Sequence, residues 1–212
     1  MSDPLEQRRE AETPALATRD DLEEVVTTLA DAFADDVDMA WFMRADARRA
    51  WARRRLFARL IRTTAFPRGR IERPASGGAA AVWLPFESVR PDPLIEVLLD
   101  GFRLMPVTGP LRAHRLMALR RSMDRHHPMD RPHAYLWFLG VAPAAQGRGI
   151  GSALLRSALA RYDAARMPTF LETNTERNLA LYRRHGYEVT GEHRAMRGGP
   201  VMWTMWREPS AM

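Results

Sequence analysis

The segment between Tyr135 and Ala165 constrains the fold of this chain more strongly than any other. It opens with Tyr135–Val141, a nearly continuous apolar run of the kind found in central strands buried on both faces. It closes with a stretch, from Gly149 to Ala165, in which apolar residues recur at helical spacing. Glycines alternate with other residues at the junction, namely Gly147, Gly149 and Gly151. The pattern predicts a buried strand, a glycine turn and an amphipathic helix, in that order.

The glycine turn has the composition of an anion-binding site. Glycine adopts backbone conformations that other residues avoid, so the N–H groups from Gly147 to Ser152 can point at a bulky anion without obstruction. The positive end of the dipole of the following helix adds to this attraction. A turn that only reverses the chain is the simpler alternative, and three alternating glycines before a well-formed helix favour the anion site over it.

Two other phosphate-binding loops fit these residues less well. A Walker A loop requires a lysine, and the sequence contains none. A Rossmann turn requires its glycines directly after the strand and an acidic residue about 20 positions further on. Here the residues from Ala142 to Ala145 separate the strand from the glycines, and the next acidic residue, Asp163, lies within the same helix. Neither nucleotide-binding interpretation is favoured.

Composition and charge narrow the class of protein. All 32 basic residues are arginines, and the net charge is +6. The densest run, from Arg48 to Arg62, alternates with apolar residues at helical spacing, so we interpret it as the solvated face of a helix and not as a nucleic-acid site. The absence of cysteine excludes disulfides and thiol nucleophiles. Without a membrane-length apolar run or an apolar leader, a cytoplasmic protein with no membrane or nucleic-acid partner is expected.

The remaining patterns place helices and strands along most of the chain. Residues 1–13 are expected to be a disordered tail. Thr18 and Asp21 form a capping-box pattern before a helix that extends to about Phe33. The other predicted helices are 45–65, one around Leu94, Leu98 and Phe102, 111–123 and 175–185. The other predicted strands are 70–73, 79–84, 169–172 and two within 187–207.

Several segments resemble one enzyme superfamily. Gln146-x-x-Gly149-x-Gly151 after a strand is similar to the acetyl-CoA signature of the GNAT N-acetyltransferases, and the segment from Asn178 to Tyr187 is similar to their second hallmark. Four segments resemble the puromycin N-acetyltransferase branch in order and spacing. They are ATRDDLEEVVTTLADAFADD, AAAVWLPFESV, PTFLETNTERNLALYRRHGYEVT and GPVMWTMWREP. The resemblance covers most of residues 15–209 and is poorest over 36–70 and 111–131.

This resemblance implies a fold. It predicts a single α/β domain of the GNAT type over residues 14–209, with a helical insertion at about 86–131. Its sheet is expected to be mixed and mostly antiparallel, with helices on both faces. In such folds the strand that matches 135–141 diverges from the strand that matches 169–173, and acetyl-CoA lies in the gap between them.

The resemblance also implies which residues hold acetyl-CoA. Main-chain groups near Leu139 and Val141 would pair with the pantetheine arm, and Gln146 would fix the loop. Asn178 lies four residues before Tyr182, so both reach the cofactor from one helix face. The side chain of Arg148 either pairs with a phosphate or is simply exposed. The pyrophosphate would take the amides of Gly147, Arg148, Gly149, Ile150, Gly151 and Ser152.

Tyr182 is predicted to be the general acid. Acyl transfer from a thioester to an amine requires a neutral amine, donors for the developing oxyanion, and a proton for the departing thiolate. A phenol with an ordinary pKa of about 10 keeps its proton at neutral pH and can donate it. Glu172 is the first candidate for the general base. Tyr135 and His133 are further candidates.

The sequence thus predicts an acetyl-CoA-dependent N-acetyltransferase, monomeric or homodimeric, that acetylates a primary amine of a small, partly aromatic molecule. A protein or peptide N-acetyltransferase is one alternative, and a non-catalytic module that binds CoA or nucleic acid is another. His126 and His127 are interpreted as surface residues, and no metal site is predicted. The acceptor pocket is expected between the first two helices and residues 85–132, with a wall drawn from Trp41, Phe42, Trp83, Phe86, Phe102, Met105 and Tyr135.

Overall fold

The computed structural model describes residues 4–89 and 104–210, and one seven-stranded sheet runs through this part of the chain. Its strands are β1 (Ala15–Leu16), β2 (Arg70–Arg73), β3 (Ala79–Pro85), β4 (Ala134–Val141), β5 (Thr169–Thr173), β6 (Glu188–Arg194) and β7 (Val201–Arg207). They lie in the order β1-β2-β3-β4-β5-β7-β6, and β4 runs parallel to β5 while the other neighbours are antiparallel. The predicted mixed, mostly antiparallel sheet is confirmed.

Helices cover both faces of this sheet. They are α1 (Pro4–Glu12), α2 (Leu22–Ala32), α3 (Val37–Phe42), α4 (Arg49–Leu60), α5 (Phe66–Arg68), α6 (104–108), α7 (Ala113–His126), α8 (Ile150–Ala164) and α9 (Glu176–Arg183). A π-helical turn, Ile61–Ala65, joins α4 to α5, and short 3-10 turns occupy Phe86–Val89 and Pro143–Ala145. No helix in the described ranges is both long and apolar enough to cross a bilayer.

Helix α8 supplies the apolar centre of one face. Leu154, Leu155 and Ala158 are fully buried and pack against sheet residues such as Ala81 and Leu171. Burial of one leucine side chain contributes about 1.5–3 kcal/mol. The amphipathic pattern that predicted this helix therefore also fixes the start of the helix against the sheet, next to the glycine turn.

Helices α2 and α4 pack on the opposite face. Val25 and Phe57 are fully buried there, in a cluster that also includes Phe138 of β4. The outer side of α4 carries the arginine run, and both Arg54 and Arg62 pair with Glu23 of α2. This agrees with the interpretation of the run as a solvated helix face.

The two central strands diverge. β4 pairs with β5 at Ala134, Tyr135 and Leu136, and no later β4 residue has a β5 partner in the described structure. On its other side, β4 pairs with β3 along its whole length, with an irregularity at Trp137, which has no partner in the register. An extra residue of this kind bends a strand and increases its twist. The bend lies where β4 turns away from β5, so a gap opens between the strands beyond Leu136.

The expectation of a disordered tail was wrong for residues 4–12, which form α1. Ala11 has no exposed area and joins the core cluster around α8. Gln7 donates a hydrogen bond to the carbonyl of Gly77, and Glu10 accepts one from the backbone N–H of Ser76. The helix has few apolar residues, so its sequence shows no helical period; contacts with α8 and with the β2–β3 turn hold it in place.

Two other expectations differ from the structure or fall outside it, and one helix of the structure was not expected. The Asp21 carboxylate accepts hydrogen bonds from Thr18, while the reciprocal bond of a full capping box is absent at this helix end. α3 was not predicted, because six residues are too few to show helical periodicity. The helix predicted around Leu94, Leu98 and Phe102 lies outside the described residues.

Candidate active site

The glycine turn follows β4 after the short 3-10 turn Pro143–Ala145, and it ends in the first turn of α8. Gly147 and Gly149 have φ values of +77° and +78°, and Gly149 is the N-cap of α8. A left-handed conformation costs other residues about 1–2 kcal/mol each, which explains glycine at both positions. A Cβ placed on Gly147 would meet no atom within 4 Å, so the turn is open on its outer side. The first amides of a helix have no partner within it, and here they face an open surface suited to an anion.

Two arginines add positive charge at this turn. Arg148 is exposed on the turn itself. Arg8 of α1 reaches the turn from the N-terminal helix, since a Cβ placed on Gly149 would lie 3.7 Å from the Nε of Arg8. The second arginine was missed by the sequence analysis because residues 1–13 were expected to be disordered.

The divergence of β4 from β5 leaves one edge of β4 without a strand partner. The Gln146 amide donates a 3.0 Å hydrogen bond to the carbonyl of Val141, and so ties the turn to the end of this strand. That carbonyl is therefore engaged, while the main chain around Leu139 faces the gap. Gly151 lies close to β4, because a Cβ there would come within 3.2 Å of the Val141 side chain. The close approach brings the start of α8 against the strand edge.

Helix α9 packs on the same face of the sheet as α8, where Leu179 and Tyr182 join the core cluster. Tyr182 on this helix is 7% exposed, and its ring packs edge-on to Tyr187 with the ring centres 5.8 Å apart. Burial raises the pKa of the Tyr182 phenol well above its ordinary value, so the group keeps its proton. Asn178 lies half-buried one turn earlier on α9. Ser152 of α8 reaches the end of this region, and its Oγ lies 2.7 Å from Nε2 of His185.

Glu172 lies on β5 where the gap opens, on the face that packs against α7. Its side chain is 3% exposed. The Tyr135 hydroxyl donates a 3.0 Å hydrogen bond to one carboxylate oxygen, Oε2. The other oxygen, Oε1, lies 3.6 Å from Nε2 of His193 and has no hydrogen bond within the described structure. His193 is itself held through Nδ1, which lies 2.9 Å from Oγ of Ser122.

A pair of aspartates lies beside Glu172, at the start of α3. The amide nitrogen of Asn174, Nδ2, donates to Oδ2 of Asp36 at 2.8 Å and to Oδ2 of Asp38 at 2.9 Å. Asp36 also caps α3, because its Oδ1 accepts a 2.9 Å hydrogen bond from the N–H of Met39. Asp38 is 8% exposed, and its Oδ1 is buried without a hydrogen bond inside the described ranges. Three carboxylates thus share one buried region.

Burial and mutual repulsion perturb these carboxylates. Burial, followed by the nearby charges of Asp36 and Glu172, raises the pKa of Asp38 to about 7. Burial also raises the pKa of Asp36, against the hydrogen bonds from Asn174 and the backbone, which lower it. Perturbed groups of this kind gather at functional sites, since a charge is left without a protein partner there for a reason other than stability.

The interpretation of His127 as a surface residue was wrong. It is buried, and its Nε2 lies 3.1 Å from Nε2 of His133, which is also buried. Burial, with the neighbouring His133, lowers the pKa of His127 to about 4, so the pair is neutral at physiological pH. His126 is exposed at one edge but stacks on His193 at a ring separation of 3.9 Å. Within the described residues no group of three or more His, Asp or Glu side chains is arranged to hold a metal ion.

The residues expected to line an acceptor pocket fall into different regions. Trp83 packs on the α8 face against Tyr162, away from Glu172. Phe42 lies in the core beneath α3, and Phe86 lies against His133 at the far end of β4. Tyr135 contacts Glu172 directly. Trp41 packs near α7 through Arg115, Met105 is partly exposed on α6, and Phe102 lies outside the described residues. Trp137, which was not predicted, is half-buried beside this site.

Comparison with known proteins places the site in a family. The sequence profile of the acetyltransferase (GNAT) domain matches residues 116–189, which span β4, the glycine turn, α8, β5 and α9. This segment is that of a GNAT acetyltransferase domain. The prediction of a GNAT-type acetyltransferase enzyme is confirmed by this match and by the shared fold of the solved structures below.

Solved GNAT acetyltransferases resemble this one over nearly their whole length. The histone acetyltransferase HPA2 and related acetyltransferase from Corynebacterium glutamicum is 28% identical, with 94% of this chain and 98% of that chain covered and a TM-score of 0.67. Arylalkylamine N-acetyltransferase 2 from Aedes aegypti is 9% identical, covers 93% and 98%, and has a TM-score of 0.63. The Drosophila melanogaster polyamine N-acetyltransferase is 16% identical, covers 92% and 99%, and has a TM-score of 0.60. The last two share the fold.

Sequence reasoning missed the aspartate pair, Asn174 and His193 of this GNAT acetyltransferase. Asp36 had a readable signal, since an Asp directly before a short apolar segment is a helix N-cap. Asn174 directly follows β5, and polar side chains at the ends of strands often belong to functional sites. His193 carried no signal, because one histidine in a polar strand does not show which neighbours it meets.

Proposed function

We propose that this enzyme transfers an acetyl group from acetyl-CoA to a primary amine of a small molecule. Enzymes of the GNAT fold use acetyl-CoA. The observation that carries the proposal is the divergence of β4 from β5 between an anion-binding turn on one side and Glu172 on the other. A cofactor site and an amine site thus adjoin one gap.

The residues around the gap fit acetyl-CoA. We assign the pyrophosphate to the amides of Gly147, Arg148, Gly149, Ile150, Gly151 and Ser152, which begin a helix and face an open surface. Gln146 fixes the turn through its bond to Val141, and the main chain near Leu139 and Val141 pairs with the pantetheine arm. Asn178 approaches the same arm from α9. When bound, acetyl-CoA supplies an activated acetyl thioester.

The protein groups then manage two protons. Glu172 takes a proton from the attacking amine, whose nitrogen forms the new bond to the acetyl carbon. Tyr182 donates its phenolic proton to the thiolate released when the carbon–sulfur bond breaks. The raised pKa of buried Tyr182 keeps that proton available, and the unpartnered Oε1 of Glu172 is free to accept one. The chain has no cysteine, which agrees with direct transfer in place of an acyl-cysteine intermediate.

The acceptor is proposed to be a small, partly aromatic amine, such as an aminoacyl-nucleoside related to puromycin. The aromatic side chains of Trp137, Tyr135 and Phe170 beside Glu172 support an apolar body, and the buried carboxylates support an amine. The similarity to arylalkylamine N-acetyltransferases in fold is consistent with this class. Buried polar groups of this kind orient a ligand, while apolar walls supply most of its contact area.

A thiol-release assay with acetyl-CoA tests the proposal. The acceptor panel contains puromycin, phenethylamine, tryptamine, short diamines and peptides with free N-termini. We expect CoA release with small amines at rates well above the acceptor-free background. Faster acetylation of peptides than of any small amine would replace the proposal with a peptide-acetylating function, and CoA binding without release for any acceptor would replace it with a non-catalytic one.

A further inference from the structure

We propose that Asp36, Asp38 and Asn174 form a binding site for a cationic group of the acceptor other than its reacting amine, which lies at Glu172 and attacks in its neutral form. This inference rests on the proposed function, because it assigns the reacting amine to Glu172, and it narrows the acceptor to amines with a second cationic group, which puromycin lacks. It adds a site with its own chemistry, and that site selects acceptors by charge.

One carboxylate oxygen of the site accepts no hydrogen bond from the described residues. The amide nitrogen of Asn174 donates hydrogen bonds to the Oδ2 atoms of both aspartates. Asp36 uses its other oxygen, Oδ1, to cap α3. Asp38 has no such use for its own Oδ1, which is buried and has no hydrogen bond in the described ranges. Burying a hydrogen-bond acceptor without a donor destabilises the protein, and a bound ammonium or guanidinium would supply the missing donor.

Charge points to the same conclusion. Elsewhere in this protein, the buried carboxylate of Glu72 pairs with Arg161, and the partly exposed Asp163 pairs with Arg207 at 2.7 Å. No arginine–carboxylate ion pair between described residues includes Asp36, Asp38 or Glu172. In a chain with 32 arginines, the described residues supply none to this cluster, so its carboxylates have no arginine to stabilise their ionised form. A buried charge requires a partner, and here the partner is assigned to the ligand.

The spacing sets the length of the ligand. Asn174 lies two residues after Glu172, just beyond the end of β5, so the Cα atoms of the two residues are at most about 7 Å apart. The aspartates are hydrogen-bonded to Asn174, and the reacting amine is assigned to Glu172. A short alkyl diamine such as 1,4-diaminobutane carries its two nitrogens at a separation of this order. 1-Aminobutane has the same carbon chain and lacks the second charge.

The test compares these two amines with the full-length protein. Specificity constants come from thiol release with acetyl-CoA, and affinities come from calorimetry in the presence of CoA, which needs no turnover. We expect the diamine to exceed 1-aminobutane by about tenfold or more in both, since one ion pair in a partly buried site contributes at least this factor. Asp38→Asn should remove most of the difference by weakening the diamine alone. Asp35→Asn, at the exposed neighbouring aspartate, is the matched control and should leave both amines unchanged.

The two readouts separate this inference from the proposed function. Preferential binding of the diamine that is lost in Asp38→Asn supports the site even if no acceptor turns over, and in that case the acetyltransferase proposal fails. Equal affinity for the two amines, or an equal loss for both in Asp38→Asn, overturns the inference whatever the turnover. A folded variant is verified by unchanged CoA affinity.

Discussion

Oε1 of Glu172 and Nε2 of His193 lie 3.6 Å apart, and both side chains are at most 5% exposed. The separation is too long for a hydrogen bond, and neither atom has another partner in the described structure. The other carboxylate oxygen of Glu172 is hydrogen-bonded to Tyr135, and the other ring nitrogen of His193 is hydrogen-bonded to Ser122. A small movement of either group would close the pair, so the arrangement can accept a proton at Glu172 and stabilise the result through the imidazole.

The first prediction follows from this pair. Glu172→Gln should lower kcat/KM about 10²- to 10⁴-fold, the usual contribution of a general base, with little change in CoA affinity. His193→Gln should cause a smaller loss, because the imidazole acts through Glu172. The double variant should resemble Glu172→Gln alone, since residues that act as a unit are not additive. Full additivity of the two losses would show that His193 acts independently.

The second prediction concerns the proton donor. Tyr182→Phe keeps the ring that packs edge-on to Tyr187 and removes the phenolic proton. Turnover should fall about 10²- to 10⁴-fold at saturating acceptor, while the Kd of acetyl-CoA stays within about twofold. Tyr187→Phe, in the same cluster, is the control and should retain turnover. If both variants keep full single-turnover rates, another group or water protonates the thiolate.

The third prediction tests the anion-binding turn. Gly149→Val places a branched side chain at φ +78°, at the turn where the pyrophosphate is proposed to bind, and calorimetry should show at least about tenfold weaker binding of CoA. Gly198→Val is the matched control, because Gly198 also has φ +78° and has open space around it. Both variants should lose a similar amount of thermal stability from backbone strain. Equal CoA affinity in the two variants would place the pyrophosphate elsewhere.

The fourth prediction concerns α1, the helix taken from sequence to be a tail. Arg8 lies beside Gly149, so Arg8→Gln should weaken CoA binding several-fold and make the remaining affinity less dependent on salt. The effect is modest because an exposed ion pair contributes only about 0.2–1 kcal/mol. Arg9→Gln, at the next and equally exposed position, is the control. An identical small change in both variants would show that only the net charge matters.

The fifth prediction uses the pKa of Asp38. Burial and the charges of Asp36 and Glu172 raise the pKa of Asp38 from 3.8 to about 7, with His193 nearby opposing the shift. Between these values the folded protein binds a proton that the unfolded chain has lost, so the free energy of unfolding falls as the pH rises through this window. Asp38→Asn removes this dependence. From pH 5 to pH 8 the variant should gain about 2–3 kcal/mol relative to the wild type.

Chemical denaturation at several pH values measures this gain. Asp35→Asn serves as the control, since Asp35 is exposed, and its difference from the wild type should be nearly constant with pH. A constant difference for Asp38→Asn as well would show that Asp38 is already ionised at pH 5. A cation that binds to the aspartate pair should reduce the gain, because it favours the ionised form of Asp38 in the wild type.

The sequence alone determined the part of the site that depends on neighbouring residues. An apolar run, alternating glycines and a helical period are local patterns, and the structure has a strand, a left-handed turn and a helix at those positions. Gly186, just beyond the end of α9, likewise occupies a left-handed position, with φ +83°. Each of these features follows from backbone sterics and burial within about 15 residues, so no knowledge of distant segments was needed.

The tertiary structure decided where the charges meet. Asp38 comes from the start of α3, Asn174 follows β5, His193 lies on β6 and Ser122 lies on α7. These four segments are far apart in sequence, and only the order of the strands and the packing of α7 bring them to one buried region. The same holds for α1, whose polar sequence has no period to read but whose contacts with α8 and the β2–β3 turn hold it beside the glycine turn. Long-range contacts of this kind depend on the whole chain closing around one core, and no short window of sequence contains them.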